Sequence, residues 1–171
     1  MLNIFRPNHI FTMRKKILII LVIVAAIAIP VGIYTISPLF ISSTVNEPSP
    51  VVTTTTATTT TIPREQAFSG IFRGVGDGFH NAEGNVSVVS LTDGSKILRL
   101  ENFKSTNGPN VHVYLSNDEH ATNFIDLGKL KANNGNQNYN IPLGTDVTKH
   151  NIVLIWCKDF FVLFGSAILM I

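Results

Sequence analysis

The chain has 171 residues, a formal net charge of +2, and only 14% charged residues against 45% hydrophobic ones. The near-neutral balance argues against nucleic-acid binding, which needs a concentrated basic face. The single cysteine excludes an intrachain disulfide, a CxxC redox pair and a Cys-rich zinc site. Sparse charge with high apolar content points to a membrane segment, a β-rich domain, or both.

Residues 1–16 carry Arg6, Arg14, Lys15 and Lys16 and no acid. Ile17–Ile36 follows as an uncharged run of Ile, Leu, Val and Ala with few interruptions. A helix of that length covers about 30 Å, the thickness of a bilayer's hydrocarbon core. Pro30 and Gly32 are tolerated in a spanning helix. The expectation is a transmembrane signal anchor over 17–36 with a basic, cytoplasmic N-terminus. The protein would then sit in the cell membrane as a single-pass chain with its C-terminal domain extracytoplasmic. The alternative is a cleaved signal peptide, for which Ala26-Ile27-Ala28 offers a small-x-small site, although the apolar run continues past it. Met13, directly before the basic cluster, is a second candidate start.

Residues 37–66 change character. Twelve of the 21 residues from Ser42 to Ile62 are Ser or Thr, interleaved with Pro48 and Pro50 and followed by Pro63. Such a composition lacks a hydrophobic period and reads as a disordered Thr-rich stalk. Residues 67–171 hold 8 basic and 9 acidic residues, so the chain's positive charge lies near the apolar segment and not in this domain.

The domain reads as all-β. Short β-branched and aromatic runs alternate with Gly, Asn and Asp, and no apolar period of 3.6 is sustained. Strands are expected at Phe68–Arg73, Asn85–Leu91, Lys96–Asn102, Val111–Ser116, Phe124–Leu130, Tyr139–Leu143, Ile152–Cys157 and Phe160–Leu169. Asp93-Gly94 predicts a two-residue hairpin turn with both positions at positive φ. Asn107-Gly108-Pro109 and Asn133-Asn134-Gly135 predict longer turns. Lys158-Asp159 predicts a tight link between the last two strands, which are apolar on both faces and so expected to be central. The last of them, Phe160–Leu169, is expected to be buried. Eight such strands predict an antiparallel β-sandwich. Alternation puts Val111, Val113 and Leu115 on one face and His112 and Tyr114 on the other.

An ordered set of landmarks runs through this domain. It starts with Gly70-x-Phe72, His80, Gly84-Asn85-Val86 and Leu98-x-Leu100-x-x-Phe103. It continues with Gly108-Pro109-x-Val111-x-Val113-Tyr114-Leu115, Leu127-Gly128-x-Leu130 and Gly135-x-Gln137-x-Tyr139-x-Ile141-Pro142. It closes on Ile155-Trp156-Cys157-x-x-Phe160-x-Val162-x-Phe164-Gly165. Together these resemble the DM13 family, also called electron-transfer DM13. The resemblance implies a β-sandwich of extracytoplasmic proteins, sometimes joined to redox domains such as DOMON and cytochrome b561, with a redox role centred on the cysteine. Two departures stand out: Asn110 replaces the Asp usual after Gly-Pro, and Gly74–Phe79 before His80 is glycine-enriched.

Cys157, at the end of an expected strand, reads either as a redox or metal-binding thiol or as a small buried hydrophobe. His80 and His112 are the other candidate ligands. One sulfur and two imidazoles match copper in type but not in spacing, since no His or Met follows Cys157 at short range. Haem with one of these residues as axial ligand is the other cofactor considered; the absence of CxxCH excludes covalent attachment. Trp156, Phe160, Phe161 and Phe164 read as core aromatics. No GxSxG, HExxH or phosphate loop is present, so nothing marks a stand-alone enzyme. Two functions follow: a redox or electron-transfer accessory using Cys157 and a redox partner, or a non-catalytic binding or adhesion module for a surface ligand.

Overall fold

A computed structural model describes residues 16–30, 42–50 and 68–171. The chain divides into two compact units, residues 1–40 and 41–171.

In the first unit, residues 16–30 form helix α1. At 1.5 Å per residue it is about 22 Å long, short of a bilayer's apolar core. Among the described residues no helix is long and apolar enough to cross a membrane. The expected span over 17–36 is seen as helix only to residue 30; residues 31–36 lie outside the described residues. The large apolar side chains from Ile17 to Ile29 are all more than half exposed.

The second unit holds two five-stranded sheets. The strands are β1 (Thr44–Asn46), β2 (Ser69–Ile71), β3 (Arg73–Gly74), β4 (Ala82–Ser90), β5 (Lys96–Ser105), β6 (Val111–Ser116), β7 (Phe124–Lys129), β8 (Asn134–Ile141), β9 (Ile152–Cys157) and β10 (Val162–Ile168). One sheet has the order β1-β8-β5-β4-β2 and the other β3-β10-β9-β6-β7. All pairings are antiparallel except β1 with β8. The inward faces meet in one core that includes Leu98, Leu100, Val113, Leu115, Val153 and Ile155. β9 and β10 are interior strands, as their two-sided apolar character predicts.

Four local expectations are corrected. Residues 42–50, read as part of the stalk, instead hold β1 and pair with β8; residues 51–67 lie outside the described residues. Asn133-Asn134-Gly135 is not a free turn, because Asn134 and Gly135 already pair with β5 and β1. Gly135 suits that place: its φ is 100° and a Cβ would lie 2.0 Å from the carbonyl oxygen of Val45. The Asp93-Gly94 turn is longer than two residues; Gly94 N–H donates to Leu91 O at 3.0 Å, and only Gly94 has positive φ. Finally, β10 starts at Val162, so Phe160 and Phe161 are in the turn, 67% and 79% exposed, and not in a buried strand.

Main-chain and side-chain bonds hold β1 in place. Glu47 accepts from Lys131 Nζ at 2.7 Å and from Asn138 N–H at 2.6 Å. The Lys131 bond holds the Glu47 carboxyl below its usual range against the opposing effect of burial. Arg99, only 4% exposed, donates from Nη1 to the carbonyls of Glu47 and Pro48 and to Asn138 Oδ1. Composition gives no sign of these contacts, since they depend on partners far away in the chain.

Candidate functional site

β9 ends with Trp156 and Cys157, whose side chains point to opposite faces of their sheet. Cys157 pairs with Val111 and Val162 and faces the core, 1% exposed. Trp156 pairs with His112 and faces outward. There it joins Tyr114 and Leu154 in a second small cluster, against Ala121, Ile152 and Leu163. Tyr114 also stacks on Phe124 with ring centroids 4.2 Å apart. Alternation gives Tyr114 its correct face, but on that face it is covered and only 2% exposed. Its phenol is pushed up by burial, with the Asp126 carboxylate and the Cys157 thiol adding to the effect.

His112 is the centre of a polar chain along the same face. Nδ1 meets Asp126 Oδ1 at 2.9 Å and Nε2 meets Asn110 Oδ1 at 3.0 Å. Asn110 Nδ2 donates to Asp159 Oδ1 at 2.7 Å, which turns the amide oxygen toward His112. Each imidazole nitrogen thus has a side-chain oxygen as its partner. Burial pushes the Asp126 carboxyl up, but bonds from His112 and from Gly128 N–H outweigh it and hold it below its usual range. Lys158 Nζ lies 3.4 Å from Asp126 Oδ2. Asn110, the departure from the expected Asp, fits because it offers an acceptor to one neighbour and a donor to the other.

His80 lies in the loop after β3. Its Nδ1 is 2.5 Å from Asp77 Oδ2, and its ring packs on Phe164 with centroids 4.7 Å apart. Asp77 also accepts main-chain bonds from His80 and Phe79, and its carboxyl is drawn down to about 2, chiefly by the His80 N–H.

His80, His112 and Cys157 are thus not gathered into one ligand set. Among the described residues, no group of three His, Cys, Asp or Glu side chains could hold a metal ion. Both nitrogens of His112 are engaged by Asp126 and Asn110, and Cys157 faces away from it. These residues do not fit a shared copper centre. Sequence reasoning missed Asp126 and Asn110 as partners of His112; the alternation that put His112 outward gave no sign of what β7 would bring beside it.

The family comparison matches residues 74–169 to the model for electron transfer DM13. The chain belongs to the DM13 family. The matched span contains β4 to β10, Cys157, and the His112 chain. Comparison with curated proteins and with solved structures gave no match. A second surface of this DM13 domain is an open cleft of about 980 Å³, lined in part by Ile71, Glu119, Ser166 and Met170.

Proposed function

We propose that this DM13 chain is a membrane-anchored, extracytoplasmic redox accessory whose responsive group is Cys157. The family match over residues 74–169, which includes that cysteine, carries the reading. The uncharged apolar run of residues 17–36, helical over its described part, supports the anchor. The basic residues before it and the absence of charge up to Glu47 support the outward orientation of the domain. Burial sets the condition under which the thiol acts. Thiolate exchange needs access to an attacking sulfur, so Cys157 reacts only when the end of β9 opens.

A second reading is a non-catalytic binding module. The 1% exposure of Cys157 and the dispersal of the candidate ligands favour it. One experiment separates the two. The purified full chain is examined for an absorption band and bound metal, and Cys157 is challenged with a thiol reagent before and after unfolding. Labelling of the folded chain, or a bound chromophore, supports the redox accessory. A chain with no chromophore, whose thiol stays silent until unfolding, leaves the binding module.

A further inference from the structure

Three large aromatics are exposed at one end of the sandwich. Phe160 and Phe161 form the β9–β10 turn, and Phe79 is in the loop after β3; they are 67%, 79% and 81% exposed. Pairing fixes their common end. β3 runs antiparallel to β10 with Gly74 opposite Gly165, so the loop beyond Gly74 extends toward the start of β10, where the Phe160-Phe161 turn lies. The packing of His80 on Phe164 agrees.

Phe161 adds an independent observation. It is a bulky residue at a left-handed φ of 56°, where Gly or Asn costs least. Its side chain contributes little to the core, so the strain is not explained by packing within the domain.

The same end receives the chain from the apolar segment. β1 starts with Thr44 opposite Asn134, and Asn134 is opposite Lys104, near the end of β5. The neighbouring Ser105 bonds to Asn133, while Thr106 bonds to Asn81 just after the Phe79 loop. Only residues 37–41 separate Ile36 from Ser42 in the sequence. The six steps from Ile36 to Ser42 reach at most about 22 Å.

We propose that this end of the sandwich is a membrane-contact surface, with Phe79, Phe160 and Phe161 inserted into the interfacial layer of a lipid bilayer. The proposal rests on the reading of residues 17–36 as a membrane anchor. Aromatic rings suit the interface between headgroups and acyl chains. The nearby Lys158 and Lys104 are paired with Asp126 and Glu83, so the contact is aromatic and not electrostatic. It is expected on uncharged phosphatidylcholine and should be insensitive to salt.

The test uses the full chain in phosphatidylcholine vesicles. A polarity-sensitive fluorophore is attached at Phe161→Cys, at Phe79→Cys, or at Leu143→Cys. Leu143 is 83% exposed and follows β8 at the opposite end. Cys157 is buried, and the unsubstituted chain reports any background from it. Probes at 161 and 79 should shift to the blue and be quenched by nitroxide-labelled lipid several-fold more than the probe at 143. A water-like signal at all three sites overturns the proposal. So does a blue shift without nitroxide quenching, which means burial against protein, such as a second copy. Equal quenching at all three sites overturns it too. Alkaline carbonate extraction, run separately, reports the anchor. A chain that is extracted but shows the expected quenching loses the anchor and keeps the contact surface; a retained chain without the quenching pattern loses the surface alone.

Discussion

Arg99 donates from Nη1 to the main-chain carbonyl of Glu47, 2.8 Å away and 52 residues earlier in the chain. A buried guanidinium is thereby satisfied by a segment whose composition suggests no structure. Arg99→Met should cost about 1–3 kcal/mol, because the carbonyls of Glu47 and Pro48 and the amide of Asn138 lose a donor. Arg99→Lys should not restore it fully, since a single ammonium cannot also supply the separate Nε donor that Arg99 gives to Glu101 Oε1. Chemical denaturation gives the loss. Hydrogen exchange at residues 44–47 should show that it falls on β1; protection there equal to the parent chain would count against this role.

Gly135→Ala is the complementary test. Alanine at a φ of 100° is strained, and its methyl would meet the Val45 carbonyl and Asn46 Oδ1. The expected loss is at least about 1 kcal/mol, with β1 displaced. Exchange protection should collapse over 44–47 while β4 and β5 keep theirs. Uniform loss over all strands would mean that Gly135 serves the whole sheet and not the β1 contact.

Tyr139 gives a pH prediction. Burial pushes its phenol from 10.0 up to about 12, opposed by the Lys131 N–H bond and aided by Glu47. The folded value lies above the unfolded one, so the contribution to stability is complete below pH 10 and is lost as pH rises toward about 12. Denaturation midpoints should therefore fall over that interval. In Tyr139→Phe the alkaline slope should be shallower and the neutral stability lower, because the Tyr139 hydroxyl donates to the buried Gln137 Oε1 at 2.7 Å. An unchanged alkaline slope in the variant would reject the assignment.

Cys157 is packed in the core at the end of β9. Cys157→Ser should cost about 1–3 kcal/mol, because it buries a hydroxyl without an assured partner. Cys157→Ala should cost less, since it adds no polar group. Thermal melts of both variants check the order; equal melting of Ser, Ala and parent would mean that the site is more open than its 1% exposure implies.

β6 and β9 have the ends expected from sequence, Val111–Ser116 and Ile152–Cys157. Their β-branched apolar residues alternate or run continuously, and that signal is local. The outward direction of His112 follows from the alternation in β6, whereas β9 is apolar on both faces and the inward direction of Cys157 emerges only from its pairing with Val111 and its burial. β1 and the first half of β8 lack this signal. Their order comes from Glu47, Arg99 and Lys131, which meet only after the sheet has formed, and from the buried pair of Gln137 and Tyr139. Phe160 and Phe161 fall in the turn and not in the expected strand, and hydrophobicity alone does not distinguish a core run from an exposed apolar tip. Asp126 and Asn110 are 14 and 2 residues from His112 in sequence, and only the β6–β7 register brings the first beside it.

β1 and β2 occupy opposite edges of one sheet. The Thr-rich connection between them therefore joins the two borders of a domain, and its length does not by itself set how far that domain stands from whatever precedes it. A protease nick in residues 51–67 would break the covalent link without removing β1 from its groove. The product would be a pair of complementing fragments, with the N-terminal one donating a single strand. Retention would then depend on concentration, because a tethered contact becomes a bimolecular one. Shedding of this domain would be a two-step event: cleavage first, and dissociation of the donated strand second.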